Sequence, residues 1–410
     1  LTAAPLVATP LGPALEREQV ETALHAGAMR PSLLDAFRLP ESTPCHVMDA
    51  KYEAGSYCIT LYQLGDDLAT GVLAFDDVDH MTGGGIRVGP GMKAFLFPDD
   101  PKLPGLRTLM DEHQMARLLG ESRRARTRVT LLRYRPGKRA TVRIEIRTAT
   151  ASRELIGKVY SKRTKAAAVH EEAHALARAL GQDDGFRTAR PLGYLEEPAI
   201  VIFEPVPGTE FEPYLDTEQG VAQVCRAAGA IAKLHALPPV STRRRPVTAE
   251  LERFHVRATN VARIAPDIGK RLVEWAAALV EHGARLQHGP PGLVHGDCKP
   301  SQFRIAAPRL ALLDFDHCGL ADPASDVGTF LASLRQRARR PLEQPFLDAY
   351  ETSASPDATL RVRAGWYESV ALMRKALRAF ARSPRSPVPA SLAHEGFECL
   401  ETPSGGARWV

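Results

Sequence analysis

A Pro- and Gly-rich stretch at 204–208, "EPVPG", separates two kinds of sequence in this chain. Ahead of it, runs such as "YCITLYQL", "ATGVLAF", "ATVRIEI", "ELIGKVY" and "AIVIF" alternate or bunch β-branched and aromatic residues between Gly- or Asp-containing turns. Behind it, the apolar period becomes helical. In "VAQVCRAAGAIAKLHAL" apolar or small residues fall at 221, 224, 225, 228, 231 and 232. "RLVEWAAALVEHGARL" and "GWYESVALMRKALRAF" keep that spacing. Strands gathered in one half and helices in the other predict an α+β fold rather than an alternating βαβ sheet.

With 410 residues the chain exceeds what one core usually organises. The boundaries read from its patterning are a β-rich N-terminal cap at 1–120, a β-sheet lobe at 121–203 with one long helix ("KAAAVHEEAHALARAL"), a hinge at 204–210 and a helical lobe at 211–410. The cap begins with a helical lead-in and closes on the Pro-rich "FPDDPKLPGLRTL"; gating, partner binding and stability are all open roles for it. "KYEAGSYCITLYQL" (51–64) and "RYRPGKRATVRIEI" (133–146) share a basic residue, a Tyr and a Gly at an offset of 82 residues. Their apolar parity slips by one after the glycine. A degenerate repeat of the sheet lobe and a coincidence between two hairpins therefore both stand.

Charge and cysteine usage exclude some partners. Net charge is +5, and residues 121–165 hold 15 Lys or Arg against three acids. Aromatics spaced for base stacking are missing there, so nucleic acid is not an expected partner. The six cysteines lie far apart with no C-x-x-C pair, which fits a reducing compartment. "LTAAPLVATP" lacks a basic n-region and is broken by Pro5 and Pro10, so it does not read as a signal peptide. No apolar run approaches the ~18–20 residues that span a bilayer. The expectation is a cytoplasmic protein with no membrane partner.

The densest polar chemistry lies in "GLVHGDCKPSQFRIAAPRLALLDFDHCGLADPASD", Gly292–Asp326. Asp297 follows His295 in a Gly-containing loop, and Asp314 ends the apolar run "LALL". A loop between two short strands brings both carboxylates to one cleft. Mg2+ takes one or two carboxylates together with phosphate oxygens and water. Asp314 and the carbonyl oxygen of Gln302 suit such an ion, Asp297 is left to accept a hydroxyl proton, and Lys299 to neutralise a transferring phosphoryl group. Singly these are ordinary turn residues. The set points to phosphoryl transfer.

"HGDCKPSQ" followed by "LLDFDHCGLADPASD" resembles the signature of the aminoglycoside phosphotransferase and choline kinase-like family, within the protein kinase-like fold. That signature is H-G-D-x-x-x-x-N, an apolar strand ending in Asp, then G-D-P-x-x-D. The resemblance extends over residues 125–385 and implies a bilobal molecule that uses ATP, or another nucleoside triphosphate, with Mg2+ to phosphorylate a small-molecule hydroxyl. It implies that Asp297 is the catalytic aspartate. Asp314 takes the metal-binding place of a D-F-G motif, here Asp314-Phe315-Asp316, and Gln302 is the second metal ligand in place of Asn. Lys299 matches the lysine of a D-x-K-P loop. Asp322 and Asp326, with Ala321 for Gly, match structural positions. Gln at the Asn position and an N-terminal cap resemble maltokinase-like members.

In the sheet lobe, "LIGKVY" puts Lys158 inside a strand, where a charge needs a partner or a phosphate. At ~100° per residue, Val169, Ala173, Leu176 and Leu180 of the following helix share a face. Glu172 borders that face and Glu171 points away, so Glu172 is expected to pair with Lys158 and align nucleotide phosphates. Lys138 and Arg139, in the turn "YRPGKRA", are expected phosphate contacts, and the backbone of Glu204 and Val206 is expected to meet adenine. Two rival readings exist. "HEEAH" (170–174) fits the H-E-x-x-H of zinc metallopeptidases, but both histidines lie off the apolar stripe and no extended motif follows. A catalytically inactive, nucleotide-binding scaffold is the other, motivated by the longer amide at Gln302. For the acceptor, Trp275, Trp366 and Tyr367 are candidates for a choline-type cage. Basic residues outnumber acidic ones between 330 and 410, which disfavours a polycation. A neutral sugar or sugar-like alcohol is the expected acceptor.

Overall fold

Two helices, α1 (Pro13–Leu24) and α2 (Ala26–Phe37), lead into the first sheet. In this computed structural model residues 13–75, 77–122, 124–181, 186–287 and 289–401 are described, and the segment "LTAAPLVATP" lies outside them. Alternating sequence builds β1 (Cys45–Glu53), β2 (Tyr57–Leu64) and β3 (Asp67–Ala74), paired in succession as antiparallel neighbours. In β2 every second side chain (Cys58, Thr60, Tyr62 and Leu64) is buried, as a sheet with one covered face requires. A short helix, α3 (Val78–Thr82), leads to β4 (Ile86–Gly89) and β5 (Met92–Leu96), and the sheet order is β1-β2-β3-β5-β4.

After α4 (Gly105–Met110) and α5 (Glu112–Leu118) come β6 (Arg126–Arg135), β7 (Arg139–Arg147) and β8 (Ser152–Tyr160). The long helix α6 (Arg163–Leu180), β9 (Phe186–Arg187), β10 (Pro191–Leu195) and β11 (Ile200–Phe203) follow. This second sheet has the order β6-β7-β8-β11-β10. With β9 set aside, the two sheets connect identically: three strands in a meander, the third pairing with the last and the last with the one before it. The two hairpins of similar sequence occupy the same place in each, and the first strand of each carries a bulge, between Val47 and Asp49 and between Leu131 and Arg133. Leu106, Leu109 and Met115 pack with Val142, Ile144 and Leu155, so residues 103–118 share the core of the second sheet. In α6 the buried residues are Ala166, Val169, Ala173, Leu176 and Leu180, the face that periodicity marks out.

Beyond the hinge and β12 (Thr209–Glu210) the chain is mainly helical: α7 (Gly220–Ala236), α8 (Val247–Ile264) and α9 (Pro266–Ala284). On α7 Val221 is exposed, while Ala227 and Leu234 join the buried face. Short strands then carry the polar stretch: β13 (Gly292–Val294), β14 (Phe303–Ala306), β15 (Arg309–Leu312) and β16 (Gly319–Ala321). β13 pairs with β16, and β14 with β15, so the two ends of the stretch fold back on each other. Helices α10 (Ala324–Gln336), α11 (Glu343–Ser353), α12 (Leu360–Arg382) and α13 (Val388–Glu401) complete the lobe. Among the described residues no helix is long and apolar enough to cross a membrane.

Candidate active site

The period of two along the second sheet decides what faces the cleft. Ala140, Val142, Ile144 and Ile146 of β7 are buried, which turns Arg139, Thr141 and Arg143 to the opposite face. From β8 the same face carries Glu154, Ile156 and Lys158. With Glu204 and Val206 at the hinge and Gln302 and Asp314 from the helical lobe, these residues line a cavity of about 330 Å3.

Asp314 sits in the left-handed backbone region (φ 64, ψ 52), which aspartate tolerates better than most residues and which strains the chain locally. Both its oxygens accept from Arg139, at 3.1 and 2.9 Å, and Oδ1 accepts from Lys158 at 3.0 Å. Burial pushes the Asp314 carboxyl up, but Lys158 and Arg139 outweigh it and hold the group well below the usual carboxylate range. Burial lowers the Lys158 pKa. Asp316, 3% exposed, accepts from Lys158 at 3.3 Å and from the Tyr160 hydroxyl at 3.1 Å, and pairs with Arg139.

The loop at 295–302 is fastened from behind. Asp326, 1% exposed, accepts from the backbone N–H of His295 (2.6 Å) and of Gly296 (2.9 Å). His295 Nε2 donates to the Leu313 carbonyl at 2.8 Å, which leaves Nδ1 to accept from the Asp297 N–H at 3.3 Å. Gly296 has φ +78, and a Cβ there would lie 2.3 Å from the His317 carbonyl, so glycine is required. On this support Asp297 Oδ2 accepts from Lys299 Nζ at 2.7 Å and from Gln302 Nε2 at 3.3 Å. Burial raises the Asp297 pKa, yet Lys299 brings it below the ordinary value. Asp322 meets Arg363 at 2.9 Å behind the loop.

Thus Lys158, Arg139, Gln302, Asp314, Glu204 and Val206 border one cavity, and Asp297 with Lys299 adjoins it through Gln302. Two expectations are corrected. Glu172 lines the cavity but does not pair with Lys158: Arg243 holds both its oxygens (3.1 and 3.2 Å) and Ser241 donates to it at 2.7 Å. Lys158 meets Asp314 and Asp316 instead, and the Glu172 carboxylate is already taken up by Arg243 and Ser241. Lys138 stays out of the lining; it lies beside Lys51 and Tyr57 of the cap, one residue before the inward-facing Arg139. An aromatic cage is also not formed by Trp275 and Trp366. Both are fully buried, with Nε1 donating to Ser369 Oγ (2.8 Å) and to the Leu279 carbonyl (3.0 Å). In "HEEAH" the His170 and His174 rings meet edge-on at 4.6 Å, and no third His, Cys, Asp or Glu joins them among the described residues.

Sequence reasoning missed Asp316 and Arg243. The second acid of "DFD" was a signal for the first, since a carboxylate one residue from a strand end beside a lysine-bearing strand invites pairing. Arg243 was visible only as part of the run "RRR".

Comparison with known proteins follows the same outline. A family model described as "Phosphotransferase enzyme family" (APH) matches residues 141–366. No curated protein matches the chain in sequence. Among solved structures, a thermostable mutant of aminoglycoside phosphotransferase APH(4)-Ia superposes with TM-score 0.52 at 12% identity, over 71% of this chain and 98% of that one, which shows the shared fold. A choline/ethanolamine kinase family protein from Mesorhizobium loti gives TM-score 0.48 at 16% identity, covering 67% and 88%. Choline kinase LicA from Streptococcus pneumoniae gives 0.49 at 14%, covering 70% and 96%.

Proposed function

The chain belongs to the APH phosphotransferase enzyme family, whose model spans more than half of it, and from that premise we propose that it moves the γ-phosphoryl group of ATP, or another nucleoside triphosphate, to a hydroxyl of a sugar or sugar-like alcohol. The observation that carries this reading is the meeting of Lys158, Gln302 and Asp314 at one cavity between the lobes, with Asp297 held against Gln302 beside it. Asp297 takes the hydroxyl proton as the acceptor oxygen bonds to the γ-phosphorus, and the bond from that phosphorus to the β-phosphate oxygen breaks to release ADP. Lys158 and Arg139 hold phosphate oxygens, and the backbone of Glu204 and Val206 meets the base. Asp314 and Gln302 offer oxygen donors only, the set that a hard ion such as Mg2+ accepts. When bound, that ion neutralises charge on the β- and γ-phosphate oxygens.

The decisive measurement is ADP release across a panel of hydroxyl acceptors, with Asp297→Asn as control. Loss of a positioned general base costs about 10²–10⁴-fold. A fall of only a few-fold with acceptor binding intact would sink the assignment. Arg139 bridging Asp314 and Asp316 favours one second reading, a scaffold that holds nucleotide without turnover. Nucleotide-dependent stabilisation with no ADP release on any acceptor supports that reading instead.

A further inference from the structure

The kinase reading above leaves the acceptor broad, and a second recess narrows it. Gln302, which touches Asp297, borders the nucleotide cavity, whereas Gly296, which precedes Asp297, borders a separate recess of about 410 Å3. That volume is within the range of small-molecule sites, roughly 300–1,000 Å3. His317, Thr329 and Tyr367 line it, and Asp316 borders both spaces. Asp297 itself lies outside this lining, but its charge is felt at His317, which borders the recess.

The charge of the recess is lopsided. Lys165, Arg243, Arg244, Arg245, Arg253 and Arg374 line it against three carboxylates, Glu250, Asp316 and Asp326. Each carboxylate is already engaged. Arg374 donates twice to Glu250, at 2.7 and 2.9 Å; the loop amides hold Asp326; Lys158 and Tyr160 hold Asp316. Arg244 and Arg253 are exposed at the rim and form no ion pair among the described residues. One turn beyond Arg374 on α12, Arg378 is likewise exposed and without an ion pair, and its charge is felt at Asp297. The excess of positive charge repels a polycation, and a neutral guest leaves it unmatched. An oxyanion meets guanidinium groups with charge-assisted, two-pronged hydrogen bonds.

We propose that the acceptor is a polyhydroxylated small molecule carrying a phosphate or carboxylate, its anionic end seated among Arg244, Arg245 and Arg253 and its hydroxyl turned to Asp297. This replaces the neutral acceptor expected from sequence with an acidic one.

The test titrates the full chain, without nucleotide, with matched pairs: hexose against hexose 6-phosphate, inositol against inositol phosphate, hexose against hexuronate. At least one anionic member binds tenfold or more tighter than its neutral parent, and Arg244→Ala combined with Arg253→Ala reduces that preference at least fivefold. No preference in any pair, or a preference that survives the double substitution, overturns the proposal. ADP release is then measured on the same pairs. Anion preference in binding without ADP release counts against the kinase reading alone. Equal ADP release from neutral and anionic members counts against the anionic acceptor alone.

Discussion

Asp297 is held ionised chiefly by Lys299 from its own loop, with Arg378 of α12 adding to it. Lys299 reaches back two residues to it and Gln302 five, both to Oδ2, and both contacts favour the charged carboxylate. In the proposed mechanism Asp297 is the base, and the acid limb of kcat/KM reports the base of the free enzyme. Replacing Lys299 by Met removes the nearest cation and raises the Asp297 pKa, so the acid limb moves to higher pH. A pH–rate profile with an unmoved limb would remove Lys299 from this role. Gln302 gives its amide N–H to Asp297, which directs the carbonyl oxygen on the other branch of the same amide away from it. Proximity of Asp297, Gln302 and Asp314 was legible in the sequence because one short segment carries all three, and short spacing along the chain limits separation in space. Glu172 was not legible in the same way. Its partner Arg243 lies 71 residues further on, and nothing local to either residue announces the contact. Lys138 and Arg139 illustrate a third case. Lys138 lies in the turn just before β7, whereas Arg139 opens the strand and shares the cleft-facing parity of Thr141 and Arg143, a difference that depends on where the strand begins.

Helix α6 is tied to the helical lobe near its start and again in its middle. Lys165 Nζ donates to the Asp316 carbonyl at 2.5 Å, and two turns later Glu172 meets Arg243 and Ser241. The helix therefore stabilises the relation between lobes rather than the lysine of β8. Glu172→Gln is expected to leave the affinity for a non-hydrolysable ATP analogue within about twofold, because the contact with Lys158 is absent. The same change lowers stability by about 1.5–3 kcal/mol, the scale of a hydrogen bond to a charged group, read from a denaturant titration. A large loss of nucleotide affinity would restore Glu172 to the phosphate site. On α12 the spacing of four residues puts Arg374, Arg378 and Arg382 along one face. The first holds Glu250, the second stands near Asp297 and the third pairs with Asp49 of the cap at 3.1 Å. Helical periodicity predicted this helix, but an arginine row reads equally as a solvated face until its neighbours are known.

At the scale of the molecule, the cap grips both lobes. Glu16, 1% exposed, accepts from Tyr52 Oη, from the Gly55 N–H and from Arg263 of α8, each at 2.6 Å. Arg257 meets Glu53 at 2.8 Å, and the Tyr52 and Phe380 rings lie 6.1 Å apart. Towards the second sheet, Asp100 accepts from Tyr134 Oη (2.8 Å) and the Gly137 N–H (2.6 Å). Glu16→Ala leaves a buried hydroxyl, an amide and a guanidinium without their acceptor, so a loss of about 2–4 kcal/mol is expected in chemical denaturation. A loss under about 1 kcal/mol would show that the cap is fastened elsewhere. These attachments bear on how the cleft works. Two bodies joined by one flexible strap swing freely, but the segment at 204–210 is not the only joint here. The cap is a second one, displaced from the first, and a frame pinned at two separated points resists rotation. The gap between the lobes is then set when the protein folds, and its alignment entropy is lost once at folding rather than at every turnover.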